Sequence, residues 1–277
     1  MVNTLDLTAT ARPVTPLGIL TEHLQQAVSL LERESISDAA KAHLYQALKL
    51  AAGLDPYVEA CTTPESAALR AISDRTQQES WSQRFSDGKT VRQLEQEMLS
   101  GHVEGQTLKL LVYVTRARRI LDIGMFTGYS ALAMAEALPE NGRLIACEVD
   151  RYAAELAQSL FKASPHGSKI EVKLGAALDT LNQLAIAPEP FDLVFIDADK
   201  REYIAYFQTV LDRNLLAPHG IICVDNTLLQ GQPYLPPEER SANGQAIAEF
   251  NQAVVEDPRV EQVLLPVRDG LTIIRRC

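Results

Sequence analysis

The spacing of hydrophobic residues changes near residue 118. Before that point, apolar residues recur every three or four positions, which is the spacing of amphipathic helices. Two such patterns, "LGILTEHLQQAVSLLERES" and "SDAAKAHLYQALKLAAG", predict a helical hairpin from Pro16 to about Gly53. The second pattern begins with a Ser/Asp cap and is expected to end at its glycine. The hairpin is predicted as an N-terminal helical extension, residues 1–56, ahead of a main domain at 57–277.

Two more helices are predicted before the change of pattern. One starts near "TTPESAALRAISDRT", where Thr63, Pro64 and Glu65 supply a cap, a first-turn proline and an early acid. The other is expected to run through "TVRQLEQEMLSGHVEGQTLKLLVYVTR".

After residue 118 the chain alternates between apolar strand-like runs and helical segments. Five near-continuous apolar runs predict a parallel sheet covered by helices on both faces. The chain then closes with "VEQVLLP" and "LTIIRR", which are joined by "VRDG" and predict an antiparallel hairpin at the edge of the sheet. The sequence therefore predicts an α/β fold with seven strands. The five expected parallel strands cover residues 118–124, 142–150, 169–175, 191–199 and 220–226.

Composition narrows the class of protein. Of the 277 residues, 46% are hydrophobic and 22% are charged, and no apolar run approaches the ~20 residues of a membrane-spanning helix. The start of the chain has no secretory-signal pattern, so we expect a cytoplasmic protein without a membrane partner. A formal net charge of −10 argues against nucleic acid as a partner and favours a small-molecule substrate. The four cysteines match no metal-binding spacing and are expected to be reduced.

Polar side chains gather at the predicted ends of two strands. "DLVFIDADK" ends in Asp197, Asp199 and Lys200, and the next strand ends in Asp225 and Asn226. Neighbouring parallel strands lie ~5 Å apart, so two carboxylates and an amide oxygen could converge on Mg²⁺, Mn²⁺ or Ca²⁺. Alternation along a continuing strand would put the two aspartates of "DAD" on one side, whereas the lysine would turn to the other side or begin the next helix. In the alternative interpretation, a strand-end aspartate caps a helix and Asn226 is a turn residue.

The first predicted strand ends in "LDIGMFTGYS", which lacks the second glycine of a dinucleotide-binding G-x-G-x-x-G motif. Asp122, Gly124, Gly128 and Ser130 remain, a set that suits a nucleoside ligand carrying a cationic group, although a structural turn explains the glycines nearly as well. Glu148, 24 residues after Gly124, ends the second strand. An acid at about this distance accepts hydrogen bonds from ribose hydroxyls in nucleotide-binding folds.

Together these motifs resemble the cation-dependent, S-adenosylmethionine-using O-methyltransferases of the caffeoyl-CoA and catechol type. The resemblance covers roughly residues 57–277 and rests on "EGQTLKLL", "LDIGMFTGYSALAMAEALP", "FDLVFIDADK", "CVDNTL" and "RDGLTII". It implies the Rossmann-like fold of class I methyltransferases. The N-terminal extension, with "AAGLDPYVEACTTPES", is similar to that of cyanobacterial O-methyltransferases of mycosporine biosynthesis, which are thought to convert demethyl-4-deoxygadusol to 4-deoxygadusol.

The resemblance also implies roles for individual residues. Asp197, Asp225 and Asn226 would be the metal ligands, with Mg²⁺ as the expected ion, and Asp197 would also be catalytic. Apart from the resemblance, Lys200 is expected to be catalytic, either accepting the hydroxyl proton or stabilising the oxyanion. A structural pairing of Lys200 with Asp199 or Glu202 is the alternative. The family is usually homodimeric, so a homodimer is expected by analogy. The S-adenosylmethionine contacts would be Ser100, Asp122, Gly124, Met125, Ser130, Glu148, Ala177 and Asp199.

Some positions depart from the family pattern. The family commonly has Glu at the first strand and Asp at the second, whereas this chain has Asp122 and Glu148. Leu229 replaces the tryptophan that follows "DNTL" in the plant enzymes, and their N-terminal substrate lysine has no counterpart, so an acyl-CoA substrate is not expected. Methylation of catechol or phenylpropanoid phenols is an alternative. An apolar strand followed by Asp-x-Asp also occurs in haloacid-dehalogenase-like hydrolases. A hydrolase is therefore a more distant alternative, and a dehydrogenase is a second one.

Overall fold

The structure is a computed structural model that describes residues 12–31 and 37–277. Its strands are β1 (Arg119–Ile123), β2 (Arg143–Glu148), β3 (Ile170–Leu174), β4 (Phe191–Ile196), β5 (Leu216–Val224), β6 (Val260–Leu265) and β7 (Leu271–Arg276). Its α-helices are α1 (Pro16–Leu31), α2 (Asp38–Ala60), α3 (Ala67–Gln77), α4 (Trp81–Ser86), α5 (Gly101–Thr115), α6 (Tyr129–Ala137), α7 (Arg151–Phe161), α8 (Ala177–Leu184), α9 (Tyr203–Asp212) and α10 (Ala242–Glu256).

The seven strands form one sheet in the order β3-β2-β1-β4-β5-β7-β6. The strands β1 to β5 pair in parallel, and β7 pairs antiparallel with both β5 and β6. The predicted α/β sheet with an antiparallel C-terminal hairpin is therefore confirmed. The strand order reverses between β1 and β4, where ligands bind in open parallel sheets.

Burial on both faces explains why the central strands are almost wholly apolar. In β4, Leu193 and Phe195 pack into one hydrophobic cluster, and Val194 and Ile196 pack into the cluster on the opposite face. All four side chains are fully buried. A central strand of this kind needs apolar residues at every position, so only its end can present polar groups.

The N-terminal helices differ from the prediction at their ends. Helix α2 begins as expected, with the Ser37 hydroxyl accepting a hydrogen bond from the Ala40 backbone N–H at 3.3 Å. It does not end at Gly53 but continues through Pro56 to Ala60, because Gly53 is not in the left-handed conformation that ends helices. The predicted domain division at residues 56 and 57 falls inside this helix and stays a prediction.

Two further expectations are wrong in detail. Helix α3 is capped by Ser66, whose hydroxyl accepts from the Leu69 N–H at 3.1 Å, and not by Thr63. The long helix expected from residue 90 begins only at Gly101. The preceding stretch is held by tertiary contacts instead, since the Val91 N–H donates to Asp150 at 2.8 Å and Leu94 is buried in a cluster with Trp81. Tertiary packing here overrides the local helical pattern.

No helix among residues 12–31 and 37–277 is both long enough and apolar enough to cross a membrane.

One buried carboxylate joins three helices of the main domain. Glu79, which is 7% exposed, follows α3 and accepts hydrogen bonds from Arg84 of α4 at 2.7 Å and from the Tyr152 hydroxyl of α7 at 2.8 Å. Arg75 of α3 also pairs with it. Burial alone would raise the pKa of Glu79, but these partners outweigh burial and lower the pKa from 4.5 to about 2.

We predict that Glu79→Gln destabilises the protein at pH 7 by up to about 3 kcal/mol, the value of the pKa shift at ~1.4 kcal/mol per unit. Because the folded pKa is lowered, this stabilisation is fully present above pH 4.5 and is lost as the pH falls towards 2. Denaturant unfolding of the wild type and of Glu79→Gln between pH 7 and pH ~3 measures the difference in the free energy of unfolding. The exposed Glu140→Gln is the control, and a pH-independent difference would contradict the assignment.

Candidate active site

A cavity of about 400 Å³ lies at the carboxyl ends of the central strands, where the strand order reverses. Hydrogen bonds beyond the last strand residues bring three strand ends together. The Asp197 N–H donates to the Ile123 carbonyl of β1 at 2.9 Å, and the Asp225 N–H donates to the Ile196 carbonyl of β4 at 3.0 Å. The two aspartates therefore face one space, as the sequence predicts.

Lys200 lies with Asp197 and begins a short 3₁₀ helix (residues 200–202), which is one of the two positions expected for this lysine. The strand already ends at Ile196, so strand alternation does not set the direction of the Lys200 side chain. The Lys200 ammonium donates to Asp197 Oδ1 at 2.8 Å, to Asn226 Oδ1 at 2.6 Å and to the Tyr203 hydroxyl at 2.7 Å. Burial lowers the pKa of Lys200, but Asp197 and the other anionic neighbours outweigh burial and raise it, which keeps the amine charged.

Asp199 lines the same cavity but pairs with another residue. Its oxygens accept from Arg201 Nε at 3.0 Å and from Arg201 Nη2 at 2.6 Å, and its side chain caps the 3₁₀ helix. The hydrogen bond from Arg201 lowers the pKa of Asp199. The two acids of the "DAD" motif thus have different cationic partners.

Asp225 and Glu104 form a buried carboxylate pair beside this cluster. Each keeps one carboxylate oxygen, Asp225 Oδ1 and Glu104 Oε1, without a hydrogen-bond partner among the described residues. Burial raises the pKa of both, and the negative charge of Asp197 raises that of Asp225 further. The nearest cation to Glu104 is Arg268, at 3.6 Å. Sequence reasoning missed Glu104, although its spacing from the buried Leu108 and Val112 puts it on the inward face of α5.

Negative charge exceeds positive charge around the cavity. Eight carboxyl groups and five cationic side chains line it, a formal excess of three negative charges when every carboxyl group is ionised, and burial raises the pKa of Glu104 and Asp225 among them. Such a cavity favours cationic ligands. The carboxylates belong to Glu95, Glu97, Glu104, Glu148, Asp197, Asp199, Asp225 and Asp269, and the cations to Arg12, Arg92, Lys200, Arg201 and Arg268.

The oxygens of Asp197, Asp225 and Asn226 fit a hard divalent ion. Within the part of the chain that the structure describes, no three His, Cys, Asp or Glu side chains form a metal-binding group. The predicted set, however, is two carboxylates and an amide, and two of its oxygens already contact one cation, the Lys200 ammonium. The unpartnered Asp225 oxygen adds a third oxygen donor.

Gly124 is required by the contact between β1 and β4. Its φ is +98°, and a Cβ atom there would lie 1.9 Å from the Asp197 carbonyl oxygen. The Gly124 and Met125 N–H groups both donate to the Cys147 carbonyl, at 3.1 and 3.0 Å. Gly124 lines the cavity, whereas Met125 is buried and does not. The structural reason for this glycine is therefore sufficient without a ligand.

The other predicted cofactor residues divide into two groups. Glu148 lines the cavity, and its two oxygens accept from the Phe126 and Asp150 N–H groups at 2.7 and 2.8 Å. Carboxylate oxygens have two lone pairs each, so both can still accept from a ligand. Asp122 is fully buried, accepts from the Ser130 hydroxyl at 2.8 Å and has a pKa raised to about 7 by burial. The predicted residues outside the cavity lining are Ser100, Asp122, Met125, Ser130 and Ala177.

The N-terminal segment also contributes to the cavity. Arg12, Val14 and Thr15, just before α1, line it. Arg12 Nη2 donates to Glu95 Oε2 at 2.8 Å, and α1 packs against residues 229–234, of which Leu229 and Gln230 also line the cavity.

The chain is similar to known O-methyltransferases in sequence. The profile of a family described as O-methyltransferase matches residues 78–277. Caffeoyl-CoA O-methyltransferase 1 of Arabidopsis thaliana is 38% identical over 182 residues, which cover 62% of this chain and 69% of the plant protein. Catechol O-methyltransferase domain-containing protein 1 of Mus musculus is 39% identical over 172 residues, covering 61% of this chain and 64% of the mouse protein.

The fold is similar to that of a solved methyltransferase with bound cofactor product. The SAH-bound methyltransferase PaMTH1 of Podospora anserina matches with a TM-score of 0.69 and 29% sequence identity. The match covers 83% of this chain and 96% of PaMTH1.

We predict that Gly124→Ala prevents stable folding because the added methyl group clashes with the Asp197 carbonyl. Gly175→Ala is the matched control, since Gly175 also has a positive φ, +129°, but a Cβ there meets nothing within 4 Å. The control should lose only the conformational cost, about 1–3 kcal/mol. Thermal unfolding of both variants separates the steric clash from the backbone strain. Equal losses of stability in the two variants would contradict the close approach of Gly124 to the Asp197 carbonyl.

Proposed function

The chain belongs to the O-methyltransferase family, and we propose that it transfers a methyl group to a hydroxyl of a small vicinal diol or enol with the help of a divalent cation. It is an S-adenosylmethionine-dependent O-methyltransferase of the caffeoyl-CoA type. The acceptor we propose is demethyl-4-deoxygadusol, which would become 4-deoxygadusol in mycosporine biosynthesis. The observation that carries the cation proposal is the set of oxygens of Asp197, Asp225 and Asn226 within a cavity of excess negative charge.

Cavity charge supports the cofactor assignment. S-adenosylmethionine carries a sulfonium and an ammonium group, and both are attracted by the carboxylates around the cavity. Glu148 would accept hydrogen bonds from the ribose hydroxyls, and Gly124 and Asp199 would contact the cofactor from the ends of β1 and β4. The five other predicted cofactor residues lie outside the cavity lining, so they would support the cofactor site without lining it. They are Ser100, Asp122, Met125, Ser130 and Ala177.

Asp197, Asp225 and Asn226 would hold the cation, for which Mg²⁺ suits the oxygen donors best and Mn²⁺ or Ca²⁺ is possible. A divalent ion bound there would orient two adjacent acceptor oxygens and lower the pKa of the hydroxyl. Lys200 contacts two of these three ligands, so its ammonium must move away from them when the ion binds.

We assign Lys200 the role of balancing the charge on the acceptor oxygen. After the acceptor hydroxyl has given its proton to solvent water, the oxygen attacks the methyl carbon in line with the breaking carbon–sulfur bond, and the sulfur keeps the bonding electron pair. An ammonium beside that oxygen stabilises the oxyanion before the new bond forms.

The shape of the cavity supports a small acceptor. Arg12, Val14 and Thr15 line it from the N-terminal side, and the Arg12–Glu95 ion pair ties this segment to the residues before α5. Leu229, at the position of the plant tryptophan, lines the same cavity. A small diol or enol fits a cavity bounded in this way better than an acyl-CoA does, and a catechol-type phenol remains the alternative.

The hydrolase and dehydrogenase alternatives lose their support. Asp197 and Asp199 follow β4, the fourth strand, whereas the acids of haloacid-dehalogenase-like hydrolases follow the first. The family profile also matches most of the chain. A homodimer and a cytoplasmic location stay predictions.

We predict that Lys200→Met lowers kcat by at least about a hundredfold, the usual cost of removing one group that stabilises an oxyanion. The KM for S-adenosylmethionine should change little, because Lys200 faces the acceptor side. Steady-state kinetics with saturating Mg²⁺ measure both constants, with the exposed Lys162→Met as the control. Unchanged turnover of the Lys200 variant would refute its catalytic role.

Incubation with methyl-labelled S-adenosylmethionine and a set of acceptors tests the whole proposal. We expect labelled product from demethyl-4-deoxygadusol with Mg²⁺, little from caffeoyl-CoA, and loss of activity with EDTA that added Mg²⁺ restores. Faster turnover of catechol would favour the phenol alternative. Equal activity with EDTA would overturn the cation proposal, and preference for caffeoyl-CoA would overturn the small acceptor.

A further inference from the structure

Two loops with unusual backbone conformations face each other at the edge of the cavity. One follows β5, and the other is the turn between β6 and β7. Left-handed φ angles in non-glycine residues are uncommon and cost free energy, so contacts between the loops must hold them. The non-glycine residues with such φ angles are Asn226 (58°), Leu229 (32°), Gln230 (56°) and Arg268 (50°). Two glycines of the same loops, Gly231 (86°) and Gly270 (95°), also have positive φ angles.

Asp269 makes most of the hydrogen bonds that join the two loops. Its backbone carbonyl accepts from the Leu228 N–H at 2.9 Å. Its side-chain Oδ1 accepts from the Gln230 N–H at 2.6 Å, and its Oδ2 accepts from Asn226 Nδ2 at 3.2 Å. Asp269 is 5% exposed, so little water competes for these bonds.

The bond to Asn226 determines which end of the amide faces the cavity. An amide has one acceptor end and one donor end, and only the oxygen can bind a cation. With Nδ2 held by Asp269, Oδ1 points at the Lys200 ammonium, 2.6 Å away, beside Asp197. The reversed amide would place its oxygen against the Asp269 carboxylate and its NH₂ against an ammonium, so both contacts would be repulsive.

We propose that Asp269 is a positioning residue that sets the Asn226 amide with its oxygen towards the cation site. This inference rests on the proposed function, since it assumes that Asn226 is a cation ligand. A carboxylate suits the task because it only accepts hydrogen bonds. An asparagine at 269 could pair with Asn226 in either orientation and would no longer select one.

The test is Mn²⁺ binding to the full-length protein, measured by calorimetry without acceptor. Asp269→Asn keeps the shape of the side chain, and we expect it to weaken Mn²⁺ binding about 10- to 100-fold, the usual effect of losing a partner of a metal ligand. Binding of S-adenosylhomocysteine should be unchanged. If Asp269 acts through Asn226, Asp269→Asn combined with Asn226→Ala should bind Mn²⁺ no more weakly than Asn226→Ala alone.

Two further variants separate positioning from stability. Thr272→Val removes a buried hydrogen bond of 2.9 Å between β7 and Thr227 of the loop after β5, and should lower the melting temperature without changing Mn²⁺ affinity. Asp269→Glu keeps the negative acceptor and should restore part of the affinity if the asparagine variant folds poorly.

The outcomes distinguish the two proposals. Wild-type protein that binds no Mn²⁺ would overturn the cation proposal and the role of Asp269 with it. If the wild type binds Mn²⁺ and Asp269→Asn binds it equally tightly, only the role of Asp269 is overturned. Additive losses of Mn²⁺ affinity in the double variant would overturn that role too.

Discussion

The close backbone contact between β1 and β4 is the constraint on which the cavity depends. Gly124 allows the Asp197 carbonyl to approach to a distance that no side chain would permit. Hydrogen bonds then continue from strand to strand beyond the sheet, from Asp197 to Ile123 and from Asp225 to Ile196. Asp197, Asp225 and Asn226 are brought together by this backbone arrangement, and their side chains need no direct attraction to meet.

Bringing carboxylates together has an electrostatic cost that the cavity offsets only in part. Lys200 and Arg268 balance some of the charge, but Glu104 and Asp225 each keep a buried oxygen without a partner in the described part of the chain. Burial raises the pKa of both carboxyl groups, so their ionised forms cost free energy that a bound cation would offset. The site would therefore favour the sulfonium cofactor and the divalent ion of the proposed reaction.

The N-terminal extension adds a boundary to this site. The family profile matches residues 78–277, whereas Arg12, Val14 and Thr15 lie outside that match and still line the cavity. In the proposed reaction the strand ends would carry the chemistry, and these N-terminal residues would border the acceptor. In the same way, Asp269 comes from the antiparallel hairpin and reaches the site through Asn226.

Much of the fold could be read from the sequence because burial on two faces leaves a clear pattern. The apolar run of β4 predicts a central strand, and the polar residues after it predict a site at its end. Local pattern failed at residues 90–100, where tertiary contacts decide the conformation. It also misplaced two helix boundaries, at Gly53 and at Ser66. Glu104 was missed because one acid on an otherwise apolar helix face looks like a surface residue.

The motif "DLVFIDADK" shows the same division. Its sequence alone determined that a buried strand would end in two acids and a lysine beside the acid and amide of the next strand. Only the tertiary structure decided how they pair, with Lys200 on Asp197 and Arg201 on Asp199. The reason is physical: alternation predicts side-chain direction only while a strand continues, and here β4 ends at Ile196 and the chain turns into a 3₁₀ helix.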